Sequence, residues 1–332
     1  MTGNADIVNS FSSAGKVLFA VGEGKDMTKL EIRERTGLSM TTVISSVEDL
    51  VARGLVTFRE EKGAHGGKMR SVINLHPKRR VYGISYKSGV LTAVAADLRG
   101  EVRESLSRET EEGISPLSAV LSLALALRGK APMPLGVSLS MNCEEKALIA
   151  EKLSERLGAE VITLSNTESV AHLVSWRGTL PVAAVGVGNR VKCVLNGMDG
   201  CRTLSVGDLA SPVLITQEGS YLSALSAANV EETLRSSHYR GMRYAERGRV
   251  GEVRDLSDYS RALAATLASL VATLNVTLSP ARVVLFGEYL SEAFFARIKE
   301  YYRVENLVYL SPEREDFALG AALAALRKWV FT

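Results

Sequence analysis

Three cysteines in 332 residues are too few to hold a fold together. Cys143, Cys193 and Cys201 form no CxxC or CxC pair, which argues against both a disulfide framework and a cysteine-built metal site. They read as reduced structural thiols, and neither a metal nor a cofactor is expected. A targeting signal is lacking too: residues 1–10, MTGNADIVNS, carry neither a basic n-region nor an apolar run, so a cytoplasmic protein is expected. The longest stretch without charge, Ala262 to Ala281, is interrupted by Thr266, Ser269, Thr273, Asn275, Thr277 and Ser279 and stopped by Pro280. That argues for a buried helix and against a membrane partner.

What is there begins with an uneven charge. Residues 1–80 hold 13 Lys/Arg against 9 Asp/Glu, and the other 252 hold 27 against 28. The surplus is densest from Phe58 to Arg80, where Arg59, Lys62, Lys68, Arg70, Lys78, Arg79 and Arg80 face only Glu60 and Glu61. Such a stripe suits a polyanion, because each neutralised phosphate releases condensed counterions. By itself it is equally a solvated surface.

The same segment carries strong local signals. Thr28-Lys-Leu-Glu31 has the form of a capping box and starts a helix, with Leu30 and Ile32 on its apolar side. Gly37 ends it. Ser39 caps a second helix whose Val43, Val47, Leu50 and Val51 share a face, and Gly54 stops that one. Two short helices joined by Thr36-Gly-Leu-Ser39 form a helix-turn-helix, in which the second helix lies in the major groove. Leu55 to Phe58 and Ser71 to Leu75 then read as strands around a polar turn, a hairpin with a basic tip. This is a winged helix-turn-helix over residues 1–76. On its second helix Met40, Thr41, Thr42, Ser45 and Ser46 are expected to face DNA; Lys62, Gly66, Gly67, Lys68 and Arg70 are expected to do so from the hairpin, where glycine permits close approach and the cations reach phosphates or a narrow minor groove.

Beyond Pro77 strands and long helices alternate, which indicates an α/β fold. Strands are expected at Val81–Ser85, Val90–Ala96, Pro134–Leu139, Glu160–Leu164, Val182–Val187 and Arg282–Phe286, with a helix around Pro116 to Leu127. The motifs Leu135-Gly-Val-Ser-Leu139, Leu164-Ser-Asn-Thr-Glu-Ser-Val-Ala171, Val185-Gly-Val-Gly188, Val283-Val-Leu-Phe-Gly287 and Ala318-Leu-Gly-Ala-Ala322, with the amino-terminal pattern, resemble the ROK family of repressors and sugar kinases over nearly the whole chain. The resemblance implies a winged helix-turn-helix followed by an actin-like, ribonuclease H-like two-lobed sugar-kinase domain over 77–332. Its small lobe is expected at about 80–165 plus the C-terminal helix, and its large lobe at about 166–315.

It also implies what this chain has lost. A family kinase carries Asn-Asp at the catalytic position, where this chain has Asn166-Thr167, and threonine cannot act as a general base. The phosphate loops are altered, with Ser85-Tyr-Lys-Ser-Gly89 in the first and Asn189-Arg190 after Gly188 in the second. The histidine and cysteines of the family's zinc site have no counterpart between Val206 and Leu222, and of the sugar-binding positions aligned with Asp208, Ser211 and Leu222 only the first keeps its character. His172 and His238 read as core or surface histidines. Carried over position by position, an effector cleft is lined by Ser140, Asn142, Asn166, Thr167 and Asp208, suited to a sugar-like molecule. The chain reads as a DNA-binding regulator of repressor type, a homodimer on duplex operator DNA and not an enzyme. The alternatives are a sugar kinase carrying a DNA-binding domain, and a regulator whose second domain serves only assembly.

Overall fold

The computed structural model describes residues 8, 11–61, 69–110, 113–176, 178, 180–187, 191–204, 214–215, 221–222, 258–287, 290 and 292–331. The chain packs into two units, residues 1–177 with 313–332, and residues 178–312.

The first unit opens with three helices, α1 (Ser13–Glu23), α2 (Lys29–Thr36) and α3 (Met40–Ala52). Each start has a local cause. The Ser12 hydroxyl accepts from the Gly15 amide, Thr28 and Glu31 form the expected capping box, and Ser39 accepts from the Thr42 amide. Gly37 ends α2 in the left-handed conformation, φ 69°, that glycine adopts without strain. Strands β1 (Val56–Glu61) and β2 (Arg70–Leu75) pair antiparallel, with Arg59 opposite Val72. Val43, Val47 and Leu50 are fully buried, as expected. Leu30 and Val51 are not: both are exposed, at 48% and 38%, because two helices this short have room for only one buried stripe each.

A five-stranded sheet follows, built from β3 (Arg80–Lys87), β4 (Val90–Ala96), β5 (Val102–Glu109), β6 (Pro134–Ser140) and β7 (Val161–Leu164) in the order β5-β4-β3-β6-β7. The first three strands form an antiparallel meander and the last two add in parallel. The crossover helices are α4 (Pro116–Arg128) and α5 (Lys146–Leu157), and α6 (Asn166–Ser175) follows β7. Tyr82, Ile84, Val137 and Leu139 meet Val120, Leu123 and Leu127 in a core without solvent access, where each large apolar side chain contributes about 1.5–3 kcal/mol. The terminal helix Arg314–Leu326 packs on β3, β6 and α6. It comes close because Gly83 and Gly320 are bare: a Cβ at either would strike main chain, of Ala318 and of Ser169.

Helix α6 was expected to open the large lobe. Its packing against the terminal helix puts it in the first unit, so the division falls after residue 177 and not after 165.

The second unit repeats the plan. Strands β8 (Val182–Val187), β9 (Val191–Gly197) and β10 (Gly200–Leu204) form a meander, and β13 (Arg282–Gly287) and β14 (Leu307–Tyr309) add in parallel, giving the order β10-β9-β8-β13-β14. Two-residue strands β11 (Leu214–Ile215) and β12 (Tyr221–Leu222) pair with each other. The uncharged stretch forms α7 (Asp258–Leu278), with Ala264, Leu267, Leu270, Val271 and Leu274 fully buried. With α8 (Glu292–Tyr301) it closes the core on β8 and β13. Among the described residues no helix is long and apolar enough to cross a membrane.

Candidate functional site

Helix α3 presents two different faces. Thr41 and Ser45 are exposed, and Met40 and Thr42 are half-buried. Ser46 was expected among them but is 5% exposed, lying three residues after Val43 and four before Leu50 on the buried stripe. It cannot touch a ligand from there. The Thr42 hydroxyl lies 2.8 Å from that of Ser39, and the Ser45 hydroxyl donates to the Thr42 carbonyl at 3.1 Å, so the cap also orders the exposed side chains around it.

The hairpin stands beside α2. Arg70 is exposed and donates to the main-chain carbonyl of Asp26 at 3.1 Å, with Glu31 at 3.7 Å. Hydrogen bonds from the Thr28 amide and hydroxyl, with Arg70 near, hold the Glu31 carboxyl below its usual range. Arg59, not among the expected contacts, donates to the Asp26 carboxylate at 3.0 Å. Lys62, Gly66, Gly67 and Lys68 lie outside the described residues.

The three helices are fastened to the sheet by residues from the far end of the chain. After the terminal helix a single π-helical turn, Arg327–Phe331, brings Phe331 into a stack on Phe11, with ring centroids 4.8 Å apart, and edge-on to Trp176 at 5.5 Å. The Trp176 indole donates to the Arg99 carbonyl, and the Arg99 guanidinium to that of Gly22. Trp329 lies over Gly136 and donates to Glu160 at 2.8 Å, while its carbonyl accepts from Arg53 at the end of α3.

The residues expected around an effector fall differently. Ser140 is fully buried and its hydroxyl donates to the Asn166 side-chain oxygen at 2.8 Å, while the Asn166 amide nitrogen donates to the Tyr86 carbonyl at 3.3 Å. Both ends of that amide are therefore held by the protein. Thr167 is 5% exposed, Asn142 is exposed, and Asp208 lies outside the described residues. Ser140 and Thr167 are interior residues and not an open lining: the Ser140 bond to Asn166 fixes the start of α6, whose own capping box joins Ser165 and Glu168. The first phosphate-loop position is an exposed tight turn. Ser88 and Gly89, with φ of 49° and 76°, make a two-residue turn between β3 and β4 that brings Lys87 opposite Val90. Gly188, Asn189 and Arg190 lie outside the described residues.

His172 is buried, and burial together with Arg327 pushes its pKa down to about 3, so it is a neutral core imidazole. His238 lies outside the described residues.

Comparison by sequence finds no matching family model and no matching curated relative. Comparison by structure finds many matches. A ROK family transcriptional regulator, a homologue of the E. coli Mlc protein, aligns with a TM-score of 0.65 over 97% of this chain and 96% of its own, at 12% identity. The ROK hexokinase from Thermus thermophilus gives 0.57 over 75% and 98%, at 18% identity. A ROK family protein from Streptococcus pneumoniae TIGR4, solved with sucrose, gives 0.53 over 75% and 98%, at 13% identity. The fold is thus that of ROK family proteins, in agreement with the motif resemblance, and its extent is that of a ROK regulator.

Among the described residues no group of three or more His, Cys, Asp or Glu side chains could hold a metal ion, and most of the segment from Val206 to Leu222, where the resemblance places the family's zinc ligands, lies outside them. Burial in an apolar core pushes the Cys193 thiol up to about 12, and burial also raises that of Cys143, which belongs to the other unit.

Proposed function

We propose that the chain is a DNA-binding transcriptional regulator of the ROK type, acting as a repressor and a homodimer on duplex operator DNA in the cytoplasm. Residues 1–76 are read as a winged helix-turn-helix, with α3 as the helix that enters the major groove and β1–β2 as the wing. The observation that carries this is that the alignment with a ROK regulator extends over 97% of the chain, where a ROK hexokinase aligns over 75%. Residues 1–76 include two capped helices and a hairpin, with Thr41 and Ser45 on the exposed face of α3. Short hydroxylated side chains there suit base edges or phosphates, and dimers of such domains read half-sites one helical turn or a multiple apart.

The test is an unbiased selection of duplex sequences at near-physiological salt. A preferred site with two-fold symmetry is expected, and the absence of any preferred site overturns the reading.

Loss of sugar phosphorylation is the second part. Phosphoryl transfer rests on positioning and charge stabilisation. Here the position of the general base holds a buried threonine, and a tight turn occupies that of the first phosphate loop. No turnover is expected with ATP and hexoses, pentoses or amino sugars. The engaged Asn166 favours a second domain that serves assembly over one that grips a hydroxylated effector with these residues. A thermal-shift screen followed by operator titration, on wild type and Asp208→Ala, separates the two: a sugar-like hit lost in the variant restores the effector reading.

A further inference from the structure

The turn between α1 and α2 carries a carboxylate where a DNA-binding surface would be expected to avoid one. Asp26 stands there with φ 53°, the left-handed conformation that few side chains other than those of Asn and Asp tolerate. Its Oδ1 accepts from Arg59 at 3.0 Å and from the Asn74 amide at 2.8 Å. Its own N–H donates to the Asn74 side-chain oxygen at 3.2 Å, and its carbonyl accepts from Arg70 at 3.1 Å.

The hairpin register explains the convergence. Arg59 pairs with Val72, and Arg70, Val72 and Asn74 alternate along β2, so Arg59, Arg70 and Asn74 all belong to one face. One residue of the helical part thereby holds both strands of the hairpin and both of its arginines.

We infer that Asp26 is a positioning residue for DNA binding, which sets Arg59 and Arg70 as a fixed pair of phosphate contacts relative to α3; the inference rests on the DNA-binding reading above. The reciprocal bonds with Asn74 tie the turn to β2, but stability does not account for the hold on the arginines. The pair of Arg59 and Asp26 is exposed, at 60% and 37%, and such ion pairs add little to folding. A negative charge beside a polyanion also opposes binding. Its presence is repaid only if two flexible cations are otherwise held in the wrong place.

This gives a test in which charge and positioning have opposite signs. Asp26→Gly removes the carboxylate while suiting the left-handed backbone, so the fold is disturbed least. Affinity for the selected operator duplex and its salt dependence are measured by fluorescence anisotropy, with thermal melting alongside. The expected result is an affinity at least tenfold weaker, a salt slope reduced by about one to two because each lost phosphate contact removes about 0.9, and a melting temperature close to wild type. Asp26→Asn keeps an acceptor for Arg59 and Asn74 and is expected to recover most of the affinity. In the Arg59→Ala, Arg70→Ala background, Asp26→Gly is expected to cause no further loss and to regain a little affinity, since only the repulsion of the carboxylate is then removed. Binding by Asp26→Gly that equals or exceeds wild type, an unchanged salt slope, or a loss that persists in full without the two arginines overturns the inference. Failure of the wild type to select any operator overturns the DNA-binding reading itself, and is seen before any variant is made.

Discussion

Arg53, at the end of α3, donates to the main-chain carbonyl of Trp329 at 2.8 Å, joining the helix proposed to read DNA to residues 276 positions further along the chain. Arg53 also pairs with Asp49 one turn back in its own helix. A single guanidinium thus fixes the end of α3 against the turn that follows the terminal helix. Arg53→Ala is expected to lower stability by about 1.5–3 kcal/mol, the range for a hydrogen bond involving a charged group. Urea denaturation followed by circular dichroism checks this, and an unchanged midpoint would show that the contact does not hold the seam.

Gly320 sets two effects against each other. Alanine raises helix propensity by about 1 kcal/mol, yet its Cβ would meet the Ser169 carbonyl on α6, and forced overpacking costs about 1–3 kcal/mol. Gly320→Ala is expected to be destabilising, and a raised melting temperature would mean that the terminal helix is free to shift.

Stability should depend on His172. The unfolded chain protonates this side chain near pH 6.5, whereas the folded one resists until about 3. Between these values unfolding takes up a proton, so the contribution is complete above about pH 6.5 and is lost as pH falls towards 3, with a slope approaching about 1.4 kcal/mol per pH unit. His172→Leu should flatten this part of the stability profile between pH 6 and 4. A variant as acid-sensitive as wild type would assign that loss to the carboxylates.

Neighbouring residues on α3 should behave in opposite ways. Thr41→Ala is expected to weaken operator binding by about 1 kcal/mol with stability unchanged. Ser46→Leu is expected to cost about 1–3 kcal/mol of stability, while Ser46→Ala leaves the operator affinity of the folded protein as it was. Equal effects of the two alanine variants on binding, at equal stability, would refute the assignment of faces.

What could be read from the sequence was local. Thr28 with Glu31, Ser39 and Gly37 announce their caps within four residues, and β3, β4, β6, β7, β8 and β13 show as apolar runs bounded by turn residues; β5, β9, β10 and β14 were not read, and Val102–Glu109 and Gly200–Leu204 are polar strands at sheet edges. The face of Ser46 could not be read this way, since serine is compatible with either side of a helix and only the position of the core decides. Asp26 gave no signal because its partners, Arg59, Arg70 and Asn74, come together only through the hairpin register. The place of α6 was missed for the same reason: its partner, the terminal helix, lies more than 130 residues away in sequence. The repeat of one sheet plan in the two units is likewise a matter of topology, with no repeated motif to reveal it.

The stack of Phe11 on Phe331 bears on how the molecule is made. The Ser12 amide donates to the carbonyl of Phe331, 319 positions away. A ribosome therefore delivers α1 long before the ring and carbonyl it rests on exist, and a chain halted anywhere in between has its three helices but not their seat. Until then Leu18, which lies with Phe331 and Trp176 in the finished protein, lacks that cover.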